Sequence, residues 1–291
     1  GLPGGAAGVP QGGTAMSRRV LRRTEWAWPS EPVHLEVLSA GEGPPLLFVH
    51  GLGHGAWCWE QWLPAVADRG FRAYALSLRG HGGSGGHNDL GRARIRDYEH
   101  DVLQVVQQLP EPPVLIGHSL GSLVVQRVLQ RYPARAGVLL TPIAAVGAPA
   151  TIAGMIRRKP AEMLRATAGG SIRLTAEDLF AQLPAEQARA YAGRVGRESR
   201  WAQYAMMRPE RVGPIDCPVL VVGAEQDRLV AAADVQRCAR SLGADLRWVP
   251  GGHDVMLDGS RLQVLDQVLE WVDGVPRGLP GTRLTEPLHL G

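Results

Sequence analysis

Residues 113–121 read Pro113-Val114-Leu115-Ile116-Gly117-His118-Ser119-Leu120-Gly121, and residues 122–131 continue as SLVVQRVLQR. The apolar run 113–116 has the length and β-branched character of a buried strand, while 120–131 carries a helical period that stops near Pro133. Between them lies Gly-x-Ser-x-Gly. A chain passing from strand to helix within so few residues forms a tight, strained turn, and only glycines at 117 and 121 leave room for the crossing backbones. The serine hydroxyl then projects at the carboxyl edge of a sheet, in front of a helix N-terminus that favours developing negative charge. Ser119 is therefore the candidate nucleophile.

The same alternation extends outward in both directions. Short apolar runs at 45–50, 71–78, 137–140, 218–222 and 246–249 read as strands covered on both faces. The stretches 57–69, 95–109, 234–242 and 260–272 read as helices, each closed by a nearby glycine or proline. Strand and helix in alternation predict an α/β fold with a doubly wound, mainly parallel sheet. Residues 141–212 break the rhythm. They offer no strand, only helical pieces such as 175–183, opened by a Thr175/Asp178 capping box, and 184–195. That is too long for a crossover, so it reads as a helical cap inserted before the last strands. The expected organisation is a core over 25–140 and 213–275, a cap over 141–212, and tails at 1–24 and 276–291. The glycine- and proline-rich residues 1–15 are set aside from fold reasoning, with Met16 read as an internal start.

Composition narrows the class. The 291 residues are 45% hydrophobic, 20% charged and 5% aromatic, which excludes collagen-like, disordered and disulfide-framework chains. Cys58, Cys217 and Cys238 form no CxxC pair, so neither a disulfide scaffold nor a zinc site is expected, and a reducing, cytoplasmic setting fits best. A net charge of +3 is spread in ones and twos, with Lys159 the sole lysine, a solvated surface without the basic stripe of a nucleic-acid binder. The most apolar stretch, 137–154, is broken by Pro142 and Pro149, so no membrane span is expected.

A serine at its free pKa needs a base, and the base needs an orienting acid. Glu225 and Asp227 follow the strand at 218–222; His253 and Asp254 follow the strand at 246–249. Both turns lie on the edge where Ser119 projects. Asp227 is the favoured acid, Glu225 and Asp254 being its rivals, and His253 is the base. Asp97 and Asp101, a turn apart on the helix over 95–109, read as a solvated or structural helix face, not as paired acids. His54, His87 and His100 lack metal-ligand spacing, so no metal and no cofactor is expected.

With these pieces together, the chain resembles the α/β-hydrolase superfamily of lipases, esterases and C–C hydrolases from about residue 26 to 272. The resemblance is carried by Phe48-Val49-His50-Gly51-Leu52, Leu78-Arg79-Gly80-His81-Gly82-Gly83-Ser84, the 117–121 turn, the 223–227 turn and Gly252-His253. It implies that Ser119 attacks a carbonyl, that His253 takes and returns its proton, and that Asp227 holds the imidazole. It further implies an oxyanion hole made by the backbone amides of Leu52 and Leu120, with His50 buttressing the loop and His81 and His118 shaping the surroundings. Trp57, Trp59 and Trp62 would anchor the helix after that loop, Trp57 also reaching the acyl pocket, and Cys58 would pack. On family grounds Trp201, Tyr204 and Met207, with Met155, Met163 and Met206, would line an apolar substrate channel.

The implied activity is hydrolysis of a small to medium apolar carboxylic ester, lactone or thioester through an acyl-enzyme. A C–C bond hydrolase or lyase using the same three residues, and a ligand-binding member of the fold, are the alternatives; fold by itself does not choose. An aspartate-nucleophile enzyme is disfavoured by Ser119. The expected partner is a small apolar molecule, and neither substrate identity nor oligomeric state can be read from the residues.

Overall fold

The computed structural model describes residues 17–21, 33–211 and 213–277. Among the described residues eight strands form one sheet: β1 (Ser17–Leu21), β2 (Leu35–Ala40), β3 (Pro45–Val49), β4 (Arg72–Leu76), β5 (Val114–His118), β6 (Ala136–Leu140), β7 (Val219–Ala224) and β8 (Asp245–Val249). Their spatial order is β1-β2-β4-β3-β5-β6-β7-β8. The run from β4 to β8 is parallel throughout, and β2 and β1 extend it antiparallel on the β4 side.

The helices are α1 (Trp62–Asp68), α2 (Ile95–Val106), α3 (Leu120–Leu129), α4 (Pro149–Arg158), α5 (Pro160–Thr167), α6 (Ala176–Leu179), α7 (Ala185–Ala192), α8 (Arg200–Met207), α9 (Ala232–Leu242) and α10 (Arg261–Asp273). The two-residue period of the strands divides the apolar side chains between two faces. Leu46, Phe48, Ile116 and Val138 pack with Trp59, Trp62 and Val66 and with Val264 and Val268 of α10. Leu47, Val49, Leu115 and Leu139 pack with Val102 of α2, Leu123 and Val124 of α3, and Val235 of α9. Helices thus cover both faces, which is why the central strands β3, β6 and β7 are apolar along their length.

Two features of the N-terminal part differ from the sequence reading. Ser17–Leu21, assigned to a tail, pairs with β2 as the outermost strand. β2 was not anticipated at all: Glu36 and Ser39 interrupt its apolar character, yet both are buried, Glu36 accepting a hydrogen bond from the Ser77 hydroxyl at 2.9 Å. The expectations for residues 1–15, and for most of 276–291, lie outside the described residues. Between β6 and β7, helices α4 to α8 occupy the segment read as strandless. Within the apolar run 137–154, β6 ends at Leu140 and Pro149 begins α4, where its fixed φ and missing N–H are tolerated. The Thr175/Asp178 box is present, with the Thr175 amide donating to the Asp178 carboxylate at 2.7 Å, but α6 stops at Leu179. No helix among the described residues is long and apolar enough to cross a membrane.

Candidate active site

The turn between β5 and α3 is as cramped as its sequence requires. Ser119 has φ 51° and ψ −115°, a conformation L-residues seldom adopt, so the turn stores strain that the surrounding packing must hold. A Cβ on Gly117 would lie 2.5 Å from the Gly121 carbonyl oxygen, and one on Gly121 would lie 2.3 Å from that of Val49. Glycine is obligatory at both places. The Ser119 amide donates to the Leu140 carbonyl at 3.0 Å, fixing the turn to β6.

Asp227 sits just beyond β7. One carboxylate oxygen accepts the amides of Leu229 (2.7 Å) and Val230 (3.0 Å), and the other lies 2.9 Å from His253 Nδ1. Glu225 is exposed. Asp254 is buried but faces elsewhere, its Oδ2 lying 2.8 Å from His54 Nε2. Of the three acids considered, Asp227 is the one on the histidine.

The main chain of His253 is held as firmly as its ring. Its carbonyl accepts from the Thr141 hydroxyl at 3.0 Å and from His118 Nε2 at 3.0 Å. Burial drives the His118 pKa down to about 3, so this ring is neutral and its single proton lies on the nitrogen facing that carbonyl. For His253 burial likewise favours the neutral form, but the Asp227 carboxylate, aided by Asp254 and Asp178, outweighs it and holds the pKa above the ordinary histidine value. Ser119 and His253 border one pocket. Among the described residues the Ser119 hydroxyl makes no hydrogen bond. Nucleophile and base are commonly held apart in an empty site and close up on substrate binding.

His50 is buried, accepts the Leu78 amide on Nε2 at 3.0 Å and places Nδ1 2.8 Å from the Gly51 carbonyl. That fixes its tautomer and its role as a loop support. Burial, then neighbouring His81, push its pKa well down. Asp101 is also structural, taking Arg79 through its side chain and its amide, while the Asp97 carboxylate accepts the Arg94 amide at the start of α2. Neither the Leu52 nor the Leu120 amide donates a hydrogen bond among the described residues. Ligand atoms of His118, His253 and Asp254 lie within 4.8 Å of one another, a spacing a metal could use. His253 Nδ1 is bonded to Asp227 and His118 Nε2 to a carbonyl, which leaves one ring nitrogen on each histidine.

The pocket beside Ser119 is lined by Leu52, Ile143, Thr151, Ile152, Met155, Met163, Ile172, Leu174, Gln203, Met206, Met207, Leu229 and Val230. Two of its polar members are engaged internally: Gln203 accepts from the Ile172 amide and donates to the Gly170 carbonyl, and the Thr151 hydroxyl accepts from the Ala231 amide. Met207 reaches this pocket, but the aromatic candidates do not. Trp57 stacks against His54 and Tyr191, with Arg194 over its ring, and borders a separate pocket with Gly53 and His54. Trp201 is 39% exposed, and the Tyr204 hydroxyl donates to the Thr167 carbonyl. Aromatic content misled here, because these rings seal helices to one another and leave the lining to thioethers and branched aliphatics.

Cys58 and Cys238 are buried, and burial raises both thiol pKa values, that of Cys238 to about 12. Two buried groups were not singled out from sequence. Glu198 offers no local signal, since its partners are distant in the chain. The His54–Asp254 pair could have been sought from Asp254, a second acid adjacent to His253.

Residues 46–266 match the model of the alpha/beta hydrolase family, and the chain belongs to that family; it is a hydrolase. It is 32% identical over 240 residues to a Variovorax paradoxus (strain S110) protein named as a carbamate hydrolase, RutD, spanning 76% of this chain and 89% of that one. Methylesterase 3 of Arabidopsis thaliana is 32% identical over 95 residues, 32% of this chain and 36% of its own length. Among solved structures, a thermophilic esterase from Thermogutta terrifontis superposes with a TM-score of 0.69 at 20% identity, over 88% of this chain and 98% of that one, a likeness of fold.

Proposed function

We propose that this hydrolase cleaves apolar carboxylic esters, including lactones and thioesters, through an acyl-enzyme on Ser119. One observation carries the reading: a serine on a strained strand-to-helix turn shares an apolar pocket with a histidine whose far nitrogen is bonded to a buried carboxylate. In this mechanism Ser119 Oγ attacks the carbonyl carbon while His253 Nε2 removes its proton. The negative oxygen is received by the Leu52 and Leu120 amides, both otherwise unspent. Collapse of the tetrahedral adduct breaks the carbon–heteroatom bond, and His253 hands its proton to the leaving group. Water then repeats the sequence on the acyl-enzyme and frees Ser119. Asp227 stabilises the imidazolium formed in each half.

Helices α4 to α8 act in this reading as a cap, supplying Met155, Met163, Met206 and Met207 to the acyl side of the pocket. A wall this poor in polar groups disfavours charged acyl chains, because their desolvation goes largely uncompensated. The esterase and carbamate hydrolase names of the relatives support a carbonyl substrate.

The test is a burst of p-nitrophenol from p-nitrophenyl butyrate together with covalent labelling by an alkyl fluorophosphonate. A stoichiometric burst and a label mapped to Ser119 are expected. Equal labelling of Ser119→Ala would overturn the assignment.

A further inference from the structure

The loop that carries the Leu52 amide is held at nearly every other polar backbone atom. The Gly51 carbonyl accepts from the His54 amide at 3.2 Å and faces His50 Nδ1 at 2.8 Å. The next peptide plane, from Leu52 to Gly53, is gripped at both ends. Its carbonyl lies 2.8 Å from His54 Nδ1, and its N–H donates to Glu198 Oε2 at 3.2 Å. The Gly53 carbonyl in turn accepts the Gly196 amide at 2.7 Å. Both backbone polar atoms of Gly53 are therefore bonded to the segment between α7 and α8.

Glu198 does not line the substrate pocket, and it is 6% exposed. Its second oxygen accepts the Tyr98 hydroxyl and, at 2.7 Å, the Ser199 amide, and His81 Nε2 lies 3.3 Å from the carboxylate. A buried carboxylate surrounded by this many donors is compensated, and its hydrogen bonds are stronger than those of a neutral acceptor. Burial alone would push the Glu198 pKa up, but His81, Tyr98 and the Ser199 amide hold it below the ordinary carboxylate range. Simple anchoring of the insertion would need only an apolar contact. A charge aimed at the amide next to Leu52 does something more specific: it fixes the rotation of that peptide. Gly53 has φ 68° and no side chain to restrain it, so without the grip the loop has freedom to turn.

We propose that Glu198 is a positioning residue that presets the Leu52 amide for the oxyanion by clamping the Leu52–Gly53 peptide against His54, so that the oxyanion hole is complete only when the insertion is docked. The proposal rests on the serine-hydrolase reading above.

The experiment compares wild type, Glu198→Ala and Glu198→Gln, counting functional sites by the p-nitrophenol burst and measuring per-site kcat, KM and inhibition by an alkyl boronic acid. That inhibitor forms a tetrahedral anion on the serine and so reports the hole directly. For Glu198→Ala a per-site kcat lower by about 10- to 100-fold is expected, less than the full loss of an oxyanion donor. KM should stay within about twofold and boronate affinity should fall by the same factor as kcat, since only the transition state gains from the hole. Glu198→Gln keeps an oxygen for the Gly53 amide and should recover most of both. A purely structural role would reduce the number of titratable sites or the Tm while leaving per-site kcat and boronate affinity intact, and that result overturns the proposal. Should Glu198→Ala fail to fold, Tyr98→Phe, which loosens the carboxylate and spares the Gly53 bond, should lower both readings by a few-fold; unchanged values overturn it. A wild-type protein with no burst and no label defeats the underlying reading, and this inference with it.

Discussion

The pocket has two walls built by different rules. The core wall includes Ser119 and His253, with Asp227 and other buried groups behind them, and directional hydrogen bonds hold these residues in place. Asp227 takes two amides and an imidazole, and the His253 carbonyl takes two donors. The insertion wall consists of Met155, Met163, Ile172, Leu174, Met206 and Met207, which meet the pocket through non-directional contacts. Hydrogen bonds fix angles, whereas thioethers fill whatever space is left. The core wall should therefore set rate and tolerate little, and the insertion wall should set preference and tolerate much.

The largest effect that could break this contrast is at Ser119. Ser119→Ala should lower kcat on p-nitrophenyl butyrate by about 10⁴-fold or more, since members of such a unit fail together. Retention of a tenth of the activity would mean that the core wall does not carry the chemistry.

Asp227→Asn comes next, with a loss of about 10³- to 10⁴-fold from the wrong imidazole tautomer. It also carries a sign in pH. His253 must be neutral to accept a proton, so kcat/KM falls as pH drops through its folded pKa, which the carboxylates hold above the ordinary value of 6.5. Removing the Asp227 charge leaves burial in place, and burial favours the neutral ring, so the acid limb of the profile should move to lower pH. A limb that stays put would show that Asp227 does not act on the base.

This contrast also explains what could be read from the sequence. Ser119, Asp227 and His253 were locatable because each follows the end of an apolar strand, a local signal that places it on one sheet edge. The doubly wound core was legible for the same reason. β2 escaped because Glu36 and Ser39 interrupt its apolar run, Glu36 being buried through Ser77 and Ser84 on a neighbouring loop. Glu198 and the His54–Asp254 pair escaped because their bonds span 145 and 200 residues, and no periodicity announces such contacts. The insertion was legible as helical but not in its facing. Its aromatic residues suggested a pocket, whereas Trp201 turns outward and only the methionines of that cluster reach the cavity.

Between these extremes lies a stability effect in the core wall. A methyl at Gly121 would meet the backbone oxygens of Val49 and His50 at 2.3 and 2.5 Å, and neither can swing aside as a side chain would. Gly121→Ala should cost about 2–3 kcal/mol, the upper part of the range for overpacking, and lower the urea midpoint at unchanged m. An unchanged midpoint would show that the turn is looser than its geometry.

The smallest effect belongs to the insertion wall. Met207 is half-buried and reaches the pocket with a flexible side chain. Met207→Leu conserves volume and should change stability by less than about 1.5 kcal/mol. Met207→Ala opens space for roughly two or three methylene groups, each worth about 0.8 kcal/mol when buried. It should therefore raise kcat/KM for long-chain relative to short-chain p-nitrophenyl esters by several-fold, while the burst amplitude and the acid limb stay as in the wild type. A shift in that limb would be the more instructive failure. It would mean that the soft wall constrains the base, and that rate and preference are set by one surface instead of two.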